Sequence, residues 1–285
     1  MPSLSERVCG RGFTLVVLAV ALVLGAVILG AAGQLYLATG RFIRLQSSVL
    51  EVHEGLRAAM EVLSAELREL DAPGGDIAAF GADSISIRAT RGIDFVCAQP
   101  EPSSGTIVVR NSLSSGYREV DPARDRALVF RDGDPGTEND DAWLDRGIAS
   151  AGGAAICADS AAGTRLRLLG ALDSVWVGAP VRWYERVVYR LYQDEGGAWW
   201  LGVRSYSDVG WAAVSPVAGP LRHPAGLQFS YRDASGAATA VPASVVTIAI
   251  TLRGTGSSLL QGVGGRQWHW ADSLATVVFL RNGLR

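Results

Sequence analysis

The chain contains no lysine: its 26 basic residues are all arginine, against 28 acidic ones, for a formal net charge of −2. Without a basic excess there is no electrostatic footing for nucleic acid, which is bound by a cationic face. Histidine is scarce as well, and His53, His223 and His269 fall in neither an H-E-x-x-H nor an H-x₃-H spacing. That excludes the common histidine-based zinc motifs. No G-x-S-x-G elbow occurs and nothing selects one Ser/His/Asp set over another, so no enzyme is expected and no catalytic residue is assigned. The glycine-rich stretch between Gly254 and Gly265 lacks the lysine and the following helix of a phosphate-cradling loop. It reads as a flexible loop between strands. No repeat with a period of roughly 20–50 residues is visible.

What is present is one long apolar run. No charge occurs between Arg11 and Arg41. About 20 apolar residues in helical form cross the hydrocarbon core of a bilayer, and a helix satisfies its own backbone groups there. The run therefore predicts a transmembrane helix over residues 13–40. Arg7 and Arg11 precede it, a bias that keeps the N-terminus cytoplasmic and sends the rest of the chain outward. A secretory signal has an apolar region of roughly 7–15 residues with small residues after it. Here the run is longer and the small residue, Gly12, comes before it. Gly25, Gly30 and Gly33 weaken a helix in water, whereas in a membrane they allow a neighbouring helix to approach closely.

The segment Arg11-Gly12-Phe13-Thr14-Leu15, at the boundary of a polar leader and the apolar helix, resembles the N-terminal signal of type IV pilins and type II secretion pseudopilins. The resemblance implies that residues 1–12 are a prepilin leader peptide, that prepilin peptidase cuts between Gly12 and Phe13, and that Phe13 is then N-methylated. It implies a non-enzymatic protein of a bacterial inner membrane, single-pass with a periplasmic domain, which later joins a filament or pseudopilus. The implied partners are other minor pilins, the major pilin, prepilin peptidase, the inner-membrane assembly platform and, before assembly, membrane lipid. Members of that family have a glutamate at the fifth mature position, where this chain has Val17. In a filament that carboxylate offsets a neighbour's N-terminal ammonium in apolar surroundings, where an unpaired charge is expensive. A tip subunit has no subunit ahead of it to pair with, so Val17 points to a minor subunit that initiates or caps a filament. The rival reading is a periplasmic binding module or hydrolase on an uncut single-pass anchor.

After the membrane run, Phe42, Leu45, Val49, Val52, Leu56, Leu63, Leu67 and Leu70 recur at steps of three and four, with Ala59 or Met60 between them. This is the stripe of an amphipathic helix continuing over residues 41–72. Pro73, Gly74 and Gly75 stop it. The period then changes to two. Strands are expected at 84–88 and 92–97, joined as a hairpin across Thr90 and Arg91, and at 106–110, 127–131 and 164–169. Further strands are expected at 181–192 and 199–204 (a second hairpin), 227–231, 246–252 and 275–281. Residues 73–285 are therefore expected to form a mostly-β periplasmic domain. The order resembles the large minor pilins of the PilW type and the J-class pseudopilins, and implies an α+β, pilin-like fold in which the long N-terminal helix packs on an antiparallel sheet.

Cys9 lies in the leader. Cys97 and Cys157 remain as an even pair outside the cytoplasm, which favours a disulfide. The acidic segment carrying Asp132, Asp134, Glu138, Asp140 and Asp141 among turn-forming residues offers oxygen ligands for Ca²⁺. No EF-hand glutamate or flanking helix completes the motif, and a solvated acidic loop is the plainer reading. No other cofactor is expected. Most of the tryptophans are expected to pack in the sheet.

Overall fold

The computed structural model describes residues 15–116, 118–134, 136–137, 139–207, 209–261 and 266–281. Helix α1 (Leu15–Arg68) is continuous over 54 residues, roughly 80 Å at 1.5 Å per residue. Its C-terminal half follows the expected stripe: Val52, Leu56, Ala59, Met60, Leu63 and Leu67 are buried, while Phe42 is exposed. Leu70 continues the buried row, after which Asp71 accepts a hydrogen bond from the Gly74 amide as the chain turns away.

Fourteen strands follow: β1 (Ile77–Phe80), β2 (Ser84–Phe95), β3 (Thr106–Arg110), β4 (Ser115–Gly116), β5 (Asp125–Arg131), β6 (Ala142–Ile156), β7 (Ala162–Leu168), β8 (Pro180–Gln193), β9 (Trp199–Ser207), β10 (Gly210–Trp211), β11 (Ser215–Leu221), β12 (Leu227–Arg232), β13 (Thr247–Gln261) and β14 (Gln267–Phe279). They pair antiparallel in one 14-stranded assembly whose main path runs β12-β13-β11-β9-β8-β5-β6-β7-β3. This overturns the expected α+β, pilin-like fold. A sheet of this extent is far larger than such a fold contains, and among the described residues one α-helix packs its C-terminal half on a β-dominated body.

The sheet forks at β8. One edge of β8 pairs with the whole of β2, from Pro180 to Arg190. The other edge is shared: Val181–Glu185 pair with β5, and Arg186–Gln193 pair with β9. Two cores result. The first lies under α1 and takes Val187, Tyr189 and Leu191 of β8, with Ile248, Ile250 and Leu252 of β13 and Leu227 and Phe229 of β12. The second fills the β5–β6–β7–β3 lobe and takes Val181 and Trp183 of β8, with Val129, Ile148, Leu166 and Ile107. Residues 181, 183, 185, 187, 189 and 191 share one face of β8 by the period of two. Glu185 is the single charged member of that row, and it stands between the two cores.

Several expected elements change. The hairpin across Thr90 and Arg91 does not form: β2 is one strand with a bulge between Thr90 and Gly92 where it follows β8. A strand that pairs continuously with a 14-residue partner has no reason to turn there. The glycine-rich stretch is not a loop over most of its length, because β13 runs on to Gln261 and pairs with β14 as far as Gln267. Gly254 and Gly256 serve close approach to the helix. A Cβ at Gly254 would stand 2.7 Å from Val52 Cγ1, and one at Gly256 would occupy the place of Ser48 Oγ. Gly55 on the helix meets β11 in the same way, since a Cβ there would stand 2.6 Å from the backbone oxygen of Gly219.

Gly55→Ala is therefore expected to destabilise the protein by about 1 kcal/mol. Alanine is the better helix former by about 1 kcal/mol, but overpacking against backbone that cannot step aside costs more, about 1–3 kcal/mol. At Gly25 a Cβ meets nothing within 4 Å, so Gly25→Ala is the control and is expected to be neutral or slightly stabilising. Denaturant midpoints of the two variants in detergent decide the matter; equal midpoints would remove the close-approach argument.

Candidate functional site

The surface of this chain that most needs a partner is the N-terminal half of α1. The most apolar window of the helix has none of its residues buried within the chain. Leu15 is 83% exposed, and Leu24, Leu29 and Tyr36 are likewise uncovered. The first buried residue is Ser48. Leaving so many large apolar side chains in water is strongly unfavourable at about 25 cal/mol per Å², so this segment is covered by lipid or by other protein. It is a single long apolar helix near the N-terminus, compatible with a single-pass membrane anchor. Gly25, Gly30, Gly33 and Gly40 have open space around them; no packing inside the chain accounts for them. Leu15 and Val17 are on the exposed helix, and Arg11, Gly12, Phe13 and Thr14, with the rest of residues 1–12 expected to be a leader, lie outside the described residues.

The β13–β14 hairpin rises along the helix at the point where it leaves the body. Ser257 donates to Glu51 through its hydroxyl (3.0 Å). His53 Nε2 lies 2.7 Å from Asp272 Oδ2. The Asp272 carboxyl is held below the usual carboxylate range, by the Ser273 amide first and by His53 second. The other histidines also have structural roles: His223 stacks on Trp199 at 3.6 Å between ring centroids, and His269 Nδ1 lies 2.8 Å from the Gly256 carbonyl.

Cys97 and Cys157 are disulfide-bonded, with Cα atoms 4.9 Å apart. Both are buried. Cys97 follows β2 and Cys157 follows β6, so the bond closes the β-lobe that holds the second core.

The acidic segment resolves differently from a ligand set. Asp140 accepts from the Asp134 amide (2.7 Å) and the Thr137 hydroxyl (2.8 Å), which lowers its pKa, the Thr137 contact contributing most. Asp132 is pushed up by desolvation and by the nearby Asp141, Asp140 and Asp134. Glu138 lies outside the described residues. Among the described residues no three His, Cys, Asp or Glu side chains are grouped to hold a metal ion.

Where charge is organised is at the junction of the two cores, which sequence reasoning missed. Arg91 donates to Glu66 of α1 (2.8 Å) and to Glu185 of β8 (3.0 Å). Arg118 donates to both oxygens of Asp125 at 2.6 Å and approaches Glu185 at 3.3 Å. The only sequence signal was Glu185 itself, a charge on an otherwise apolar strand face. On the opposite face, Tyr184 donates to Asp145 (2.8 Å), which also accepts from Arg126 (2.8 Å). Beside the second core a concavity of about 660 Å³ is lined by Asp94, Trp183, Ser114, Arg118 and Leu166. Asp94 is buried there, and that burial raises its carboxyl pKa above the ordinary value. The tryptophans are less buried than expected: Trp183 is core, but Trp143, Trp176, Trp211 and Trp268 are exposed.

Set beside these features, comparison with known proteins is silent: no protein-family profile, curated protein sequence or solved structure matches this chain.

Proposed function

We propose that this protein is a minor pilin or pseudopilin that helps initiate or cap a type IV pilus or a type II secretion pseudopilus near its tip. In this reading prepilin peptidase removes residues 1–12, Phe13 is methylated, and the exposed half of α1 leaves the inner membrane to pack among the helices of other minor pilins and the major pilin on the assembly platform. The observation that carries the reading is an apolar half-helix with no partner inside its own chain, joined at its start to the Arg11-Gly12-Phe13-Thr14-Leu15 signal. The open glycines at 25, 30 and 33 suit helix–helix contact. The reading does not rest on the body of the protein, whose β architecture is its own.

The rival, a binding module on an uncut anchor, draws support from the concavity at Asp94 and Trp183. The two separate at the N-terminus. Intact mass and N-terminal sequencing of the protein from its native membrane are expected to give a chain beginning at methylated Phe13. A chain beginning at Met1 would sink the filament reading and favour the anchored module. A second test addresses position. Val17→Glu is expected to leave filament assembly unimproved, because a tip subunit has no forward neighbour for the new carboxylate; a large gain in assembly would place the protein in the filament body instead.

A further inference from the structure

The groove where α1 meets the end of the β13–β14 hairpin has a composition that neither membrane anchoring nor filament packing requires. It encloses about 440 Å³ and is lined by Arg41, Phe42, Arg44, Leu45, Leu259, Leu260, Gln267 and Trp268. One wall is apolar and open: Phe42 is 58%, Leu259 56% and Trp268 42% exposed. The only charges in the lining are two guanidiniums. Among the described residues neither Arg41 nor Arg44 takes part in an ion pair. Seven other arginines, Arg88, Arg91, Arg110, Arg118, Arg124, Arg126 and Arg182, are paired with carboxylates; what sets Arg41 and Arg44 apart is that they adjoin an exposed apolar wall whose described lining holds no carboxylate.

The position of the groove narrows its occupant. The uncharged part of the described helix, residues 15–40, measures roughly 39 Å, close to the ~40–45 Å of a bilayer with its headgroup layers. With its start at one surface, Arg41 and Arg44 stand in the headgroup layer of the other. Trp268 is then at the depth where tryptophan concentrates in membrane proteins. Arginines on this flank work against the bias that sends it out of the cytoplasm, so topology gives no reason for them. A lipid whose phosphodiester charge is not offset by a headgroup cation satisfies both halves of the groove: guanidiniums pair with the uncompensated phosphate, which a choline ammonium would oppose, and Phe42, Leu259 and Trp268 cover hydrocarbon.

We propose that this groove binds the headgroup and upper acyl chain of one anionic phospholipid in the leaflet facing the domain, with Arg41 and Arg44 on the phosphate and Trp268 against the chain. The proposal rests on the membrane-anchor reading of α1. It makes the hairpin end a second membrane contact, so that lipid holds the domain at a set height until the helix is withdrawn.

The test uses the full chain in nanodiscs of equal phosphatidylglycerol and phosphatidylcholine, released gently into native mass spectrometry. One retained phosphatidylglycerol is expected in preference to phosphatidylcholine. Arg41→Gln with Arg44→Gln is expected to lower that preference about 25-fold, taking about fivefold for each basic residue near an anionic surface, about 1 kcal/mol. Both positions are exposed, and circular dichroism checks that the variant is folded. Arg41→Lys with Arg44→Lys is expected to keep part of the preference, because the charge remains while the directed donors are lost. Equal retention of the two lipids, or a preference unmoved in the Gln variant, would overturn the proposal while leaving the anchor intact. A dimer mass without lipid would assign the groove to a second copy of the chain and overturn it too. Failure of the chain to enter the discs at all would overturn the anchor reading, and this proposal with it.

Discussion

Arg91→Ala is expected to lower the unfolding free energy by about 3–5 kcal/mol, the range for removing one partner of a buried ion pair. Arg91 is 13% exposed at its side chain and joins Glu66, on the helix, to Glu185, between the two cores. Without it two poorly solvated carboxylates face each other's former cation site. The pH dependence separates this cause from simple loss of packing. For Glu66, burial is the largest influence and raises its pKa, against the opposing charge and hydrogen bond of Arg91. A raised native pKa means that the folded state holds the proton more tightly, so this residue's contribution falls as pH rises past its unfolded value. Glu185 is the reverse. Burial works against its charge, but the Ser205 hydroxyl and the Arg91 and Arg124 guanidiniums outweigh that and hold the carboxyl below its usual value. Its contribution is present above the unfolded pKa and fades as pH falls through the native one. Removing Arg91 moves both carboxyls upward. The deficit of the variant should therefore be greatest near neutrality and shrink toward about pH 4, as both become protonated. Denaturant unfolding in detergent from pH 4 to 8 measures this, and a deficit independent of pH would show that the cluster acts only by filling space.

The double variant Cys97→Ala, Cys157→Ala is expected to lose about 4 kcal/mol, the chain-entropy value for the 60-residue separation between the two cysteines. The loss should be local. The bond closes the lobe built from β3, β5, β6 and β7, whose core is separate from the one under α1. Hydrogen exchange is expected to show lost protection at Ile107, Ile148 and Leu166, with Leu63, Ile250 and Leu252 still protected. Uniform loss across both lobes would mean that the two cores unfold together and that the fork at β8 is not an energetic boundary.

Much of the chain's local structure is legible from residue order. The stripe from Val52 to Leu67 declares an amphipathic helix, because burial on one face of a helix requires apolar residues at steps of three and four. The alternation in β8, β12 and the first half of β13 declares strands for the corresponding reason with a period of two. Cys97 and Cys157 could be paired because they are the two cysteines after the apolar run, Cys9 lying before it. The strands that escaped are those whose pairing partner, not their own pattern, makes them strands. β6 contains Ala-Gly-Gly-Ala-Ala and has little apolar alternation, yet β5 and β7 hold it from both sides. β13 beyond Leu252 looks like a loop because of its glycines, but α1 packs so closely there that only glycine fits at 254 and 256.

Residue order settles that an apolar helix stands near the start of the chain, that it continues as an amphipathic one, and that β-structure follows. These are properties of neighbours within a few residues, read directly from side-chain period and hydropathy. Tertiary structure alone decided that the strands join into one forked sheet of 14 rather than a small sheet under a helix. It alone placed Glu66, Arg91, Glu185, Arg118 and Asp125 in one cluster, and brought Arg41 and Arg44 to the end of a hairpin more than 200 residues away. Such contacts depend on which strand edges find each other, and a period of two says that an edge exists without saying which partner closes it.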